Sequence, residues 1–110
     1  MMATVTPISQ VRFSVGEIIQ HRLFGYRGVI ADVDSSFQGS DAWYQSMAKS
    51  RPPKDKPWYH VLVDGAQHTT YVAERNLEHD PMPGEIDHPL VEELFSGFED
   101  GRYIRSGHKN

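Results

Sequence analysis

The fold is decided by residues 56–65, which read Lys-Pro-Trp-Tyr-His-Val-Leu-Val-Asp-Gly. Aromatic and β-branched side chains dominate this stretch, which is typical of a β-strand, and Asp64-Gly65 is a hairpin signal. Both faces of the predicted strand 58–64 are largely apolar, so we expect it to lie inside a sheet. Residues 69–73 are rich in Thr, Tyr and Val, and the short connection predicts that they return as its antiparallel partner.

Two further strands are predicted upstream. The first covers residues 18–23, and Gly25 supplies a tight turn before the second. The second strand, residues 28–33, alternates with the period of two expected for a strand that is buried on one side. This alternation predicts one face made of Val29, Ala31 and Val33 and another made of Gly28, Ile30 and Asp32.

A short helix is predicted between the second and third strands. Ser40 is a suitable N-cap for a helix over residues 41–49, in which Trp43, Tyr44 and Met47 would face inward. Residues 49–57 are then a loop, because they contain three prolines and four basic residues. This loop is the most basic local stretch of the chain.

The C-terminal third is predicted to contain a second helix. A closing turn at residues 75–77 and a Pro/Gly linker at 81–84 precede it, and residues 87–89 would open it. An apolar stripe on one side of this helix predicts that it docks on its own chain or on a neighbouring subunit. Undocked, Phe95 and Phe98 among acidic residues would form a ligand for another protein. The stripe consists of Leu90, Val91, Leu94, Phe95 and Phe98.

These elements predict a mainly β fold, a small, strongly bent antiparallel sheet or partly open barrel with a short inserted helix and a C-terminal helix. We divide the chain into a loose lead-in at residues 1–12, a β-barrel domain at 13–78, and an acidic linker, helix and tail at 79–110. One domain is expected of 110 residues.

Composition limits the classes of function. There is no cysteine, and no apolar run approaches the 18 residues of a membrane span, so we expect a protein of the reducing cytoplasm that contacts no membrane. The net charge of −4 is uneven: residues 1–77 carry eight basic and seven acidic side chains, whereas residues 78–100 carry eight acidic and no basic ones. The acidic segment would repel nucleic-acid phosphates and attract a basic surface.

An enzyme or a metal site is not expected. The sequence has no nucleophile-elbow pattern and no Gly-rich phosphate loop, so we predict no catalytic residues and no cofactor. His21, His60 and His68 lie in or beside strands, and three imidazoles resemble a zinc-binding set. No pair has tight ligand spacing with a second carboxylate ligand, so we predict ordinary strand histidines and no metal.

Aromatic and basic residues at the strand ends are the best candidates for a binding surface. Such clusters stack on nucleic-acid bases and also form the most important contacts of protein interfaces. An equally open alternative is that Trp58 and Tyr71 belong to the core while Arg27 and Arg75 are merely solvated. The candidates are Tyr26, Arg27, Trp58, Tyr59, Tyr71 and Arg75.

Three blocks of the chain resemble the HspQ heat-shock protein family, whose domain is also described as hemimethylated-DNA-binding. The blocks are residues 21–30 (His-Arg-Leu-Phe-Gly-Tyr-Arg-Gly-Val-Ile), 57–63 (Pro-Trp-Tyr-His-Val-Leu-Val) and 70–77 (Thr-Tyr-Val-Ala-Glu-Arg-Asn-Leu). The resemblance covers about residues 15–78 and implies an SH3-like β-barrel, a cytoplasmic location and a homo-oligomer as one form of the protein.

The resemblance implies two functions. One is a stress-response factor without enzymatic activity that modulates the degradation of specific or denatured proteins, a replication initiator among them, by a Lon-type protease. The other is a module that recognises hemimethylated double-stranded DNA, although a sequence pI of about 5.8 is a weak basis for binding phosphates. The binding residues that it implies are Tyr26, Arg27, Trp58, Tyr59, His60, Tyr71 and Arg75.

Overall fold

A computed structural model describes residues 11–106, and the first ten residues, most of the predicted lead-in, lie outside it together with the last four. Five antiparallel strands form one sheet in the order β4-β3-β2-β1-β5. The mainly β fold is therefore confirmed, but hydrogen bonds between the described strands leave the sheet open, with β4 and β5 as its edges. The strands are β1 (Ile18–His21), β2 (Arg27–Asp34), β3 (Trp58–Val63), β4 (Thr69–Ala73) and β5 (Leu77–His79).

The β3–β4 hairpin forms as the sequence predicts. His60 lies opposite Tyr71, and Trp58 lies opposite Ala73, in a regular antiparallel register. Gly65 has a φ of 78°, a left-handed backbone conformation that glycine adopts without steric cost. A 3-10 turn at Glu74–Asn76 then leads into β5, which confirms the predicted closing turn.

Strand β2 departs from simple alternation because it contains a β-bulge. The register with β3 shifts between Ile30 and Asp32, so Ala31 is an extra residue on the β2 side. Val33 consequently packs with Ile30 rather than with Val29. The prediction that Val29, Ala31 and Val33 share one face is therefore wrong at Val33.

The inserted helix, α1 (Asp41–Met47), begins at the predicted cap. The side-chain oxygen of Ser40 accepts a hydrogen bond from the backbone N–H of Trp43 at 3.0 Å. Tyr44 is buried, whereas Met47 is 62% exposed, so the prediction that Met47 faces inward is wrong. The helix is short and ends at Met47, and its Trp43 and Tyr44 side chains contact the sheet.

The C-terminal segment is mostly a hairpin. The helix α2 covers only Val91–Leu94, and the chain continues as β6 (Phe95–Glu99) and β7 (Arg102–Arg105). The prediction of one helix extending through Phe98 is therefore wrong. Asp100 and Gly101 both have positive φ, 54° and 79°, as a two-residue type I′ hairpin turn requires.

Three apolar clusters hold these elements together. The first, which we call the sheet core, receives residues from all five strands, so the sheet curves around it: Phe13, Ile19, Ile30, Tyr59, Val61, Val72 and Leu77. The hairpin core lies on the other face: Ile18, Val29, Leu62, Ile86, Phe95 and Tyr103. The helix core joins α1 to β3 and β4: Tyr44, Ala48, Trp58 and Ala73.

The C-terminal hairpin is docked on the sheet. The backbone N–H of Tyr103 donates to the carbonyl of Gly16 at 2.8 Å, and Phe95 is buried beside the Tyr103 ring. Phe98 packs against the same cluster, so neither phenylalanine is presented as a ligand for another protein. No helix within residues 11–106 is long and apolar enough to cross a membrane.

Candidate binding groove

An open groove with a volume of about 780 Å³ runs along the edge strand β4. All five residues of Thr69–Ala73 line it. Neighbouring residues of a strand point to opposite faces, so Tyr71 faces the helix core whereas Thr70 faces the sheet core. Because β4 residues that point to either face of the sheet line the groove, the groove follows the edge of the sheet rather than one of its faces.

Apolar side chains form the rim of the groove. Leu23, Phe24 and Met47 all line it, and they are 60%, 76% and 62% exposed. Water-exposed apolar groups gathered around a concavity are typical of a site that binds a partner. Leu23 and Phe24 come from the β1–β2 turn and Met47 comes from α1, so two different elements supply this rim.

The wall on the α1 side is aromatic. The ring of Trp43 packs edge-on against both Trp58 and Tyr71, with centroid distances of 6.1 and 5.7 Å. Trp58 is almost completely buried, and its Nε1–H donates to the carbonyl of Pro53. Trp58 therefore supports the wall from behind, while Trp43 and Tyr71 remain partly accessible.

A polar network orders His60 and Tyr71 on this wall. The Tyr71 hydroxyl donates to Asp34 Oδ2 at 2.6 Å, and the same oxygen lies 3.1 Å from His60 Nε2. The backbone N–H of Gln38 donates to the Tyr71 hydroxyl. Burial and the hydrogen bond to Asp34 raise the pKa of Tyr71 to about 12, so its hydroxyl stays protonated and its ring stays fixed.

The opposite wall is built around His21. Its ring stacks on Phe24 at 4.5 Å and tilts against Tyr26 at 5.1 Å. The Nδ1 atom accepts hydrogen bonds from the backbone N–H groups of Leu23 and Phe24, both at 3.1 Å. Burial lowers the pKa of His21, so the ring is neutral near pH 7 and its proton is on Nε2.

Of the seven residues predicted to bind, four line this groove: Tyr26, Trp58, His60 and Tyr71. Tyr59 lies elsewhere. It is completely buried in the sheet core, where its hydroxyl donates to Glu74 Oε2 at 2.5 Å. Burial and that carboxylate raise the pKa of Tyr59. Tyr59 therefore has a structural position rather than a surface one.

Arg27 is half-buried and already paired with partners of its own. Its Nε donates to Asp80 at 2.7 Å, its Nη1 to Asp64 at 3.1 Å, and its Nη2 to the carbonyl of Gly84 at 2.8 Å. The hydrogen bond to Asp80 is the largest cause of the raised pKa of Arg27. These bonds join the linker after β5 to the sheet and use N–H donors of all three guanidinium nitrogens.

Arg75 belongs to a separate basic patch. Together with Arg12 and Lys56 it lines a second, smaller depression, and Glu74 lies at the same place. The Arg75 guanidinium also donates to the carbonyl of Ser50, which ties it to the basic loop. The structure therefore brings Arg75 and the loop together, and it leaves Arg27 outside this patch.

The histidines of the metal hypothesis have other partners. His21 accepts a backbone hydrogen bond within the β1–β2 turn, and His60 pairs with Asp34. The carbonyl of His68 lies 2.9 Å from Nε2 of the buried His88. No group of three or more metal-ligating side chains is placed to hold an ion within the part of the chain that the structure describes.

The residues that form the rim were not predicted from the sequence. Leu23 and Phe24 were named only within the block at residues 21–30 that resembles the HspQ family. Met47 was predicted to face inward. A signal was present: Leu23-Phe24-Gly25 combines two large apolar residues with a turn glycine, and a turn exposes its side chains.

The fold and the groove define a small mainly β binding domain. The family model described as "Hemimethylated DNA-binding protein YccV like" matches residues 11–102, and the chain belongs to this YccV-like family. This match agrees with the resemblance to HspQ proteins. A curated relative, F-box only protein 21 from Pongo abelii, is 35% identical over 96 residues, which cover 86% of this chain and 15% of that protein. The chain thus corresponds to a small part of that relative.

Proposed function

We propose that this domain is a binding module without enzymatic activity, which takes up unfolded or apolar segments of other proteins and modulates their degradation by a Lon-type protease in the cytoplasm. The observation that carries the proposal is the groove along β4 with Leu23, Phe24 and Met47 exposed on its rim. Water-exposed apolar side chains gain free energy when a partner covers them, at about 25 cal/mol per Å².

The electrostatics of the groove also favour a protein partner. Several of its polar side chains are hydroxyls, imidazoles or amides, and Lys49 adds one positive charge at the rim. Duplex DNA carries one negative charge per about 1.7 Å of helix axis and needs several cations to neutralise it. Arg27, a strong candidate for a phosphate contact, is already paired with Asp64 and Asp80.

The test is a degradation assay with a purified Lon-type protease and fluorescently labelled casein, an unfolded protein. We expect the domain to change the rate of casein turnover, and Phe24→Ala/Met47→Ala to weaken binding about tenfold or more, since each truncation removes about 1 kcal/mol of apolar burial. Met82→Ala is the matched control, because Met82 is 83% exposed and lies outside the groove lining.

An unchanged rate of casein turnover at a saturating concentration of the domain would refute the protease proposal. Equal loss in the Met82→Ala control would refute the assignment to the groove. Sedimentation of the same samples reports whether the domain acts as a monomer or as the homo-oligomer that the resemblance admits.

A second candidate function is recognition of hemimethylated DNA, and two observations favour it. The family is described by that activity. The structure also brings Arg12 and Arg75 beside Lys56 of the loop at residues 49–57, and these three residues form one basic patch. Cations clustered in this way are typical of contacts with phosphates.

The competing function is tested by titrating unmethylated, hemimethylated and fully methylated duplexes at low and near-physiological salt. A preference of about tenfold for the hemimethylated duplex, or about 1.4 kcal/mol, would support it. Lys56→Ala should weaken binding to all three duplexes and flatten the salt dependence, whereas Arg105→Ala, an exposed arginine on β7, should not. Equal and weak binding of all duplexes would remove this candidate.

A further inference from the structure

The edge of β4 is available for hydrogen bonding. β4 pairs with β3 on one side, and no other backbone or side-chain partner is found for the backbone of residues 69–73 among the described residues. An edge strand presents alternate N–H and C=O groups that a further extended chain can pair with. Proteins that recognise peptides by strand addition use such an edge, together with adjacent pockets for alternate side chains.

The groove supplies those adjacent pockets. Five residues of β4 extend over about 17 Å at about 3.3 Å per residue, which is the length of a short peptide strand. Side chains of an added strand would alternate between the wall of Trp43 and Tyr71 and the wall of Phe24 and Tyr26. Both walls are aromatic, so apolar side chains fit on both sides.

His21 places a hydrogen-bond donor at the groove. Its Nδ1 atom already accepts two backbone N–H groups, so the neutral ring carries its proton on Nε2. The Nε2 atom has no partner among the described residues. No fully buried side-chain nitrogen or oxygen atom in the described part of the chain lacks a partner, so Nε2 is not enclosed, although His21 as a whole is only 5% exposed. His21 lines the groove, and this donor suits a carbonyl or carboxylate oxygen of a bound peptide.

The charge of the groove selects among peptides. Although the chain has a net charge of −4, none of the described residues that line the groove is Asp or Glu, while Lys49 lies on its rim. Asp34 stands behind this wall, hydrogen-bonded to His60 and Tyr71. An acidic group of the partner would therefore meet a cation and imidazoles rather than carboxylates.

We propose that the groove binds an extended apolar peptide segment with an acidic residue as an additional strand on β4, with His21 Nε2–H donating to a peptide oxygen. The inference rests on the proposed function in taking a protein segment as the ligand, and it adds the mode of recognition and the chemistry of the segment.

The first experiment selects binders from a randomised twelve-residue peptide library displayed on phage, with the full chain immobilised. We expect enriched sequences that alternate apolar residues with others and contain Asp or Glu, and the enrichment should vanish on Phe24→Ser. The absence of enriched sequences, or equal enrichment on Phe24→Ser, overturns the proposal. Sedimentation that shows a dimer dissociated by Phe24→Ser would assign the groove to a second copy of the chain and also overturn it.

The second experiment tests strand addition itself. The best enriched peptide is synthesised with single N-methyl groups at successive positions, which remove one backbone N–H each. An added strand pairs only every second residue on one side, so methylation should reduce affinity at least about tenfold at alternate positions and have little effect between them. Equal effects at successive positions would refute strand addition.

The third experiment addresses the donor. His21→Asn keeps an acceptor for the backbone N–H groups of Leu23 and Phe24 but removes the Nε2–H group. We expect weaker peptide binding in this variant, whereas His79→Asn, a change at an exposed histidine outside the groove lining, should bind like the wild type. Equal affinity of the two variants would exclude His21 as a donor.

The outcomes separate the two proposals. If peptides bind with the alternating N-methyl pattern but casein turnover is unchanged, strand addition stands and the protease function fails. If turnover depends on Phe24 and Met47 while the N-methyl pattern is absent, the protease function stands and strand addition fails.

Discussion

Arg27 and Asp80 form the closest ion pair in the described structure, with Nε of Arg27 2.7 Å from Oδ2 of Asp80. The Asp80 side chain is 3% exposed, and its second oxygen accepts the backbone N–H of Met82 at 2.9 Å. Burial alone would raise the pKa of Asp80, but the hydrogen bonds from Arg27 and Met82 outweigh it and lower the pKa. The pair fixes the linker after β5 onto the start of β2.

Asp80→Asn should therefore destabilise the fold by about 2–3 kcal/mol, because it leaves Arg27 with a weaker partner beside a buried site. Urea denaturation at pH 7 measures the loss. The exposed Asp55→Asn is the control and should be nearly neutral. The folded pKa of Asp80 lies below its unfolded value of about 3.9, so the difference between wild type and Asp80→Asn is complete above that pH. It should disappear as the pH falls through the folded pKa, and a difference that persists there would contradict this assignment.

Stability should also depend on pH through His21. Burial lowers its pKa in the folded state, so the unfolded chain binds the proton more readily. The contribution of neutral His21 is present above the ordinary histidine pKa of about 6.5 and is lost as the pH falls through the folded pKa. Unfolding curves at pH 7.5 and pH 5 should thus differ less in His21→Asn than in the wild type. An identical pH dependence would show that His21 does not contribute.

Gly16 should tolerate no larger residue. It has a φ of 98°, and a Cβ atom there would lie 2.3 Å from the carbonyl oxygen of Tyr103. Gly16→Ala should cost about 2 kcal/mol or more, since strain and the displacement of β7 add together. Gly97→Ala is the matched control, because a Cβ at that position meets no atom within 4 Å. Equal stability of the two variants would show that the hairpin docks differently.

The hydroxyl of Tyr103 should contribute to the free energy of unfolding. It accepts the backbone N–H of the buried Ile86 at 2.7 Å and lies 3.3 Å from the carbonyl of the same residue. Tyr103→Phe leaves that N–H unpaired, which costs about 1–3 kcal/mol. Thermal unfolding measures the loss, and amide hydrogen exchange at Ile86 should accelerate in the variant. Unchanged exchange at Ile86 would contradict this role.

Local patterns sufficed for much of the sheet. Alternation and the Asp64-Gly65 turn gave the β3–β4 hairpin, and Ser40 gave the start of α1, because these signals act between neighbouring residues. The C-terminal hairpin carried a similar signal in Asp100-Gly101. The spacing of Leu90, Val91, Leu94, Phe95 and Phe98 fits a helix too, and short apolar runs leave these choices open until tertiary packing decides.

The site was less predictable from the sequence, because the position of each side chain depends on contacts with residues that are distant along the chain. The sequence marks Arg27 as a basic residue at a strand end, but nothing local indicates that Asp64 and Asp80 will occupy it. Likewise, Tyr59 and Tyr71 are both strand tyrosines, and only their register separates the buried one from the one at the groove. Met47 became a rim residue because α1 is short and turns Tyr44 to the sheet.

The arrangement of β2 and β3 determines how cooperatively the protein should unfold. Adjacent residues of these strands serve opposite faces: Val29 and Leu62 belong to the hairpin core, whereas Ile30 and Val61 belong to the sheet core. Loosening either strand removes support from both clusters at once, so the hairpin and the sheet should melt in one concerted transition.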